Sequence, residues 1–253
     1  MKVCLVNLFH LDPPRNGGLS RVARIVCDLT AQLALQNKLK VFFAVGAQFS
    51  GEFRDWLGKP GGILIPVMPD AGMTPIFETI HPDLLISPLL SMRPISDWKE
   101  YEHIPHIVCV PDTLALDNPE LFTSGEAESR RAGYSQLENS SVVVTISEDA
   151  RNRLIRHLGL PPSKVQVIPL AGDLSTWFNP ADGRTLISSP YILYPARNWP
   201  HKRHELLIQV MNRVSQERPD LHLVLTGWHD EDYISELASS YDLPRGKILD
   251  FGF

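Results

Sequence analysis

Arg197 and Lys202 stand with four residues between them in a loop, "ARNWPHKRH", broken by Pro200. The loop joins an aromatic, β-branched strand pattern, "YILYPA", to a pattern in which Leu206, Leu207, Val210, Met211 and Val214 recur at helical spacing. In α/β proteins the loop leaving the C-terminal end of a strand is where ligands are held. A helix N-terminus favours anions, and cations fixed beside it make a site for a phosphate. Taken alone, the loop is equally readable as an ordinary solvated surface loop. A second candidate is the connection "NLFHLDPPRNGGLSRV", which delivers Gly17 and Gly18 to the start of a helix. Glycines there let a ligand approach the backbone. The pair is not a G-x-G-x-x-G fingerprint, so a dinucleotide reading is weak and a tight turn is its rival. His201 and His204 have the spacing closest to a metal pattern, but no acidic or cysteine company. They read as loop and helix-cap chemistry.

The elements that must position these residues alternate along the chain. Strand patterns cover 2–9, 40–46, 62–67, 83–88, 106–110, 141–146 and 164–170. The first helix, 19–35, is expected to bury Val22, Ile25, Val26, Leu29 and Leu33 on one face. Further helices are expected at about 126–138 and from Glu148 to His157, the latter capped by Ser147 and carrying acids in its first turn. Residues 47–80 are broken by Gly and Pro and yield one strand only, and a long loop follows 83–88. The stretch 171–189 is turn-rich and reads as a linker. A second series follows: strand 191–196, helix 203–217, strand 221–227, helix 231–240 and strand 247–253. Continuous apolar strands between amphipathic helices imply parallel sheets covered on both faces. The second series makes half a doubly wound domain, so the chain is expected to stop inside that domain, at Phe253.

Composition narrows the class. The 253 residues are 43% hydrophobic and 21% charged, which supports packed cores. Net charge is −5, distributed as +1 over 1–100, −4 over 101–185 and −2 over 186–253. No segment is basic enough for a nucleic-acid surface. The three cysteines, Cys4, Cys27 and Cys109, sit in apolar strand or helix patterns and read as reduced core thiols of a cytosolic protein. The N-terminus lacks a signal peptide's apolar region, and no apolar run approaches membrane-spanning length.

Four stretches then line up in order: "GGLSRVARIVCDLTAQLA", "VVVTISEDARNRLIRHLGLPPSKVQVIPLAGD", "YILYPARNWPHKRHELLIQV" and "LHLVLTG". Together they resemble the retaining, nucleotide-sugar-dependent glycosyltransferases of family 4, or group 1, which have the GT-B fold. The resemblance covers essentially the whole chain. It implies a GT-B-like α/β fold with a Rossmann-like, acceptor-side N-domain over 1–175 and a linker over 176–189. The first half of a second Rossmann-like domain, binding the nucleotide sugar, would fill 190–253. By the same resemblance, Arg197 and Lys202 are the catalytic cations that grip the donor's diphosphate. Gly17 and Gly18 match the loop that closes on that diphosphate, and Gly227 and Trp228 lie where the family places the nucleotide. Asp112 is the acceptor-side contact, with capping of a turn as its plain structural reading.

The implied reaction moves a hexose from a nucleoside diphosphate sugar to a glycan or lipid-linked acceptor, with retention and with no metal or other cofactor. The implied partners are that donor and that acceptor, with no nucleic acid. The implied location is the cytoplasm, at the inner membrane face where a lipid-linked acceptor brings peripheral contact. The chain departs from the family at Pro111, which precedes Asp112 where the family commonly has His. The family's paired glutamates, E-x7-E, are also absent from these residues. The 253-residue chain alone is therefore expected to be inactive. The alternatives are a non-catalytic partner subunit that lost the donor half, and a nucleotide-sugar epimerase of similar architecture, which the R-x4-K loop disfavours.

Overall fold

The structure is a computed structural model that describes residues 1–9, 11, 18–57, 61–68, 71–90, 98–170, 187–227, 232–244 and 246–251. The chain divides into two compact units, Met1–Gly172 and Asp173–Phe253. Residues 171–186, which hold most of the expected linker, lie outside the described residues.

The first unit runs β1 (Lys2–Leu8), α1 (Gly18–Leu35), β2 (Leu39–Gly46), α2 (Ser50–Leu57), β3 (Ile63–Val67), α3 (Thr74–Ile80) and β4 (Leu84–Ser87). It continues with α4 (Trp98–Tyr101), β5 (His106–Cys109), α5 (Leu114–Asp117), α6 (Ser124–Ser135), β6 (Val142–Thr145), α7 (Glu148–Leu158) and β7 (Val165–Val167). Its seven strands form one parallel sheet in the order β3-β2-β1-β4-β5-β6-β7. The order reverses at β1, so the crevice of a doubly wound sheet lies at the C-terminal ends of β1 and β4.

Both faces of this sheet are covered, and β1 shows why its sequence is apolar throughout. Side chains alternate between faces along a strand. Cys4, Val6 and Leu8 pack with Ala23, Cys27 and Ala31 of α1 and with Phe43 and Phe53. Leu5 packs the opposite way, with Phe77, Met73 and Leu85. Each fully buried aliphatic side chain stabilises the fold by about 1.5–3 kcal/mol. A third cluster joins Val108, Val143 and Val165 to Tyr134, Leu137 and Leu154. Cys4, Cys27 and Cys109 are buried and free.

The second unit contains β8 (Tyr191–Tyr194), α8 (His204–Glu217), β9 (His222–Leu225), α9 (Tyr233–Ser240) and β10 (Ile248–Asp250). Its three strands are parallel in the order β10-β9-β8. Ile208 and Met211 of α8, Leu223 and Leu225 of β9 and Ile234 of α9 form its core. Tyr191, Ile192 and Leu193 of the edge strand β8 are exposed.

Several expectations need correction. Ile25 and Leu29 are 42% and 55% exposed, not buried on α1. Val22 is buried as expected, but the residues buried with it are Ala23, Cys27, Thr30 and Ala31. At 3.6 residues per turn, that face lies about 100° from the expected one. Small side chains there let the helix approach the sheet. α8 repeats the lesson: Leu206 and Val210 are 57% and 46% exposed, while His204, Ile208, Met211 and Ser215 are buried. The region 47–80 holds α2 and α3 as well as a strand, with a proline in the first turn of α3, where its missing N–H costs nothing. Short helices also occupy parts of the stretches after β4 and β5, and β7 is shorter than its pattern.

Candidate functional site

β8 ends at Tyr194, and the chain returns to α8 through a 3-10 turn, Pro200–Lys202. Arg197 is half-buried and Lys202 exposed. Among the described residues neither makes an ion pair with a carboxylate. The turn is tightly defined. Lys202 N–H donates to the Trp199 carbonyl at 2.8 Å, and Arg203 N–H donates to that of Pro200 at 3.1 Å. The Tyr194 hydroxyl donates to the Lys202 carbonyl at 2.5 Å.

Arg203 then adopts a left-handed conformation, φ 53° and ψ 43°, and stands at the N-cap of α8 without a side-chain cap bond. The first N–H groups of a helix lack intrahelical partners, and here no side chain at the cap satisfies them. The acid of that first turn, Glu205, is engaged elsewhere, accepting from the Tyr241 hydroxyl and from Gln209. Uncapped N–H groups, the helix dipole and the cations Arg197 and Lys202 therefore favour one kind of ligand, an anion such as a phosphate.

Gly227 follows β9 and meets this loop from the side. A Cβ there would stand 2.3 Å from the Ala196 carbonyl oxygen and 3.2 Å from the Arg197 nitrogen. Only glycine allows that approach, so the lack of a side chain at Gly227 is what lets the Ala196–Arg197 peptide lie against the end of β9. Trp228 and Gly17 lie outside the described residues. Gly18 opens α1 in the first unit, on the connection that leaves the switch-point strand β1.

Asp112 follows β5, on the same sheet edge as that connection, with β4 between β1 and β5. Its Oδ1 accepts the Leu114 N–H at 2.8 Å, a turn-capping bond. Its carbonyl accepts the Tyr134 hydroxyl at 3.3 Å. Burial, with the Asp112 charge adding and Arg130 opposing, pushes the Tyr134 hydroxyl up to about 12.

The expected cap of α7 is present, with Ala150 N–H donating to Ser147 Oγ at 3.1 Å. The first-turn acids Glu148 and Asp149 pair within the helix, with Arg151 and Arg153. His204 is buried, its ring edge-on to Tyr194 and Tyr233 at 5.2 and 6.2 Å between centroids. His201 packs against Trp199 instead. Among the described residues, no three His, Cys, Asp or Glu side chains gather to hold a metal ion, and no helix is long and apolar enough to cross a membrane.

Sequence reasoning gave Tyr194 a strand role only. Its bond to Lys202 spans eight residues and closes a loop of irregular shape, and no periodic pattern signals such a contact.

No protein-family model matches the chain, and no curated protein sequence matches it either. Solved structures do. HepE from Anabaena, in complex with UDP and glucose, superposes with a TM-score of 0.65 at 17% identity, over 100% of this chain and 70% of its own. WaaG, a glycosyltransferase involved in lipopolysaccharide biosynthesis, gives 0.59 at 13% identity, over 99% of this chain and 70% of its own. UDP-GlcNAc 2-epimerase from Neisseria meningitidis, bound to UDP-GlcNAc, gives 0.57 at 14% identity, over 100% and 72%. The likeness is one of fold. Mixed α/β units built on parallel sheets, in GT-B chain order, are shared along the whole of this chain.

Proposed function

We propose that the chain belongs to an enzyme that transfers a hexose from a nucleoside diphosphate sugar, with retention, to a glycan or lipid-linked acceptor. The observation that carries this reading is the pair Arg197 and Lys202, unpaired with carboxylates among the described residues and set beside the uncapped N-terminus of α8. In such a transfer the bond between the anomeric carbon and the diphosphate oxygen breaks, and the departing diphosphate keeps the electron pair. The acceptor oxygen bonds to that carbon, and its proton passes to the departing diphosphate oxygen. Charge builds on the leaving oxygen, and fixed cations stabilise it more in the transition state than in the ground state.

Arg197 and Lys202 take that role, and no metal is invoked. Gly227 lies on the nucleotide side of that loop in this reading, and the resemblance adds Gly17, Gly18 and Trp228 as further donor contacts and Asp112 as the acceptor contact. A lipid-linked acceptor would bring the protein to the cytoplasmic membrane face. Support also comes from the fold, shared with proteins solved with UDP and glucose or UDP-GlcNAc.

The epimerase likeness supports a second reading, in which the same cations hold a UDP-sugar whose C2 is inverted. Calorimetry with UDP, GDP and ADP, followed by assays with the matching labelled nucleotide sugars, tests both. Expected are nucleoside diphosphate binding that Arg197→Ala and Lys202→Ala each abolish or weaken, and, where the paired glutamates are also supplied, label passing to an acceptor. Label remaining in an epimerised nucleotide sugar replaces the first reading with the second. Binding indifferent to both substitutions ends the assignment of the loop.

A further inference from the structure

We propose that Tyr194 is a positioning residue that locks the Lys202 turn in place before any nucleotide arrives. The proposal rests on the reading of Arg197 and Lys202 as diphosphate cations. Both ends of the loop that carries them are tied to this one residue. At the near end, the Tyr194 carbonyl accepts the Ala196 N–H at 3.1 Å and the Thr226 N–H at 3.5 Å. At the far end, the Tyr194 hydroxyl donates to the Lys202 carbonyl at 2.5 Å. The ring between those ends packs edge-on against His204, the buried first residue of α8. The Lys202 backbone is thereby braced from the strand side, while its ammonium is left to solvent or ligand.

A second observation says the brace is under load. Arg203, between the braced Lys202 and the buried His204, holds φ at 53°. A non-glycine residue persists in that region only where its surroundings over-determine it. Here the hydroxyl bond fixes one side of Arg203 and the buried ring fixes the other. Gly227 leaves no slack on the other side, since the β9 end comes so close that a Cβ there would stand 2.3 Å from the Ala196 carbonyl oxygen. A site held in its binding geometry gains affinity because less freedom is lost when ligand arrives. Tyr194 touches no reacting atom in this scheme and acts entirely through Lys202.

The test uses Tyr194→Phe, which keeps the ring and removes only the hydroxyl. Amide hydrogen exchange should speed up about tenfold at Lys202 and Arg203, with Leu223–Leu225 of β9 unchanged. A hydrogen bond of ordinary net strength corresponds to an effect of roughly fivefold to tenfold. UDP affinity measured by calorimetry should accordingly fall about fivefold. In the Lys202→Ala background the same substitution should weaken UDP binding no further, because its route is already gone. Unchanged exchange at Lys202 and Arg203 overturns the lock. An equal loss of affinity in both backgrounds, or none in either while Lys202→Ala does weaken binding, overturns the positioning role. UDP affinity indifferent to Lys202→Ala strikes the diphosphate reading instead, and the exchange data then decide the lock by themselves.

Discussion

Helix α7 and the loop between β8 and α8 both concentrate basic side chains, but in different company. On α7, Arg151 reaches Glu148 at 3.3 Å and Arg153 Nε reaches Asp149 at 2.8 Å. Arg153 also pairs with Asp117, whose other oxygen lies 2.6 Å from His157 Nε2. Carboxylates at helical spacing, and one from α5, absorb these charges. In the β8–α8 loop, Arg197 and Lys202 meet no carboxylate among the described residues. What surrounds them is backbone and aromatic surface: the Tyr194 hydroxyl, the Trp199 carbonyl and the close approach of Gly227. A paired cation has already spent most of its field on its partner, and an unpaired one held in a rigid turn retains it for a ligand. In β5 of the first unit, buried His106 shows another way to settle a base. Its Nε2 lies 2.9 Å from Ser87 Oγ, and burial brings its pKa down to about 4, leaving it neutral.

The largest expected effect comes from that buried base. The unfolded chain protonates His106 near its ordinary 6.5, while the folded chain resists until about 4. Between those values the unfolded state binds more protons, so stability falls as pH drops through that window, by roughly 3 kcal/mol at its lower end. In denaturant melts, the stability lost between pH 7 and pH 4 should differ between the native chain and His106→Gln by that amount. Parallel curves would mean that burial does not settle this base.

Next in size is Lys202→Ala, which should lower the transfer rate of the proposed enzyme about 10²-fold, the scale of removing a preorganised charge stabiliser. Acceptor binding should change far less. An unchanged rate constant in a folded variant would put Lys202 in the same class as the surface arginines of α7.

Gly227→Ala should cost about 2 kcal/mol of stability, a typical penalty for forcing atoms into filled space, because its methyl meets the Ala196 carbonyl at 2.3 Å. UDP affinity should fall with it as the Arg197 peptide shifts. A variant as stable as the native chain would show that the β8 and β9 ends can separate freely, and the loop would lose its claim to rigidity.

The smallest effect is expected on α7. Arg153→Ala should destabilise by about 1 kcal/mol or less, because its partners are partly solvated and such pairs are screened, and UDP binding should be untouched. Weakened UDP binding in Arg153→Ala would erase the contrast between the two regions.

Local signals were legible in the sequence wherever a residue's effect stays within a turn or a strand. Ser147 announced the start of α7 because a hydroxyl reaches an N–H three residues on. The continuous apolar runs of β1 and β2 announced a parallel sheet because both of their faces must be covered. The R-x4-K spacing and the strand before it placed Arg197 and Lys202 in a loop at the C-terminal end of β8, where they are found. Helix faces were a harder case. Ile25, Leu29, Leu206 and Val210 satisfy helical spacing as well as the buried residues do. Periodicity finds an apolar stripe without knowing which stripe a neighbouring sheet will cover. Asp112 is similar: its turn-capping bond was one of its two sequence readings, and geometry was needed to see the bond.

Only the tertiary structure brought Tyr194 to the Lys202 carbonyl, Gly227 to Ala196 and His106 to Ser87. Each of those contacts joins residues through the path of a loop or the pairing of strands, and a chain's local preferences do not encode a distance that the packing of other elements sets.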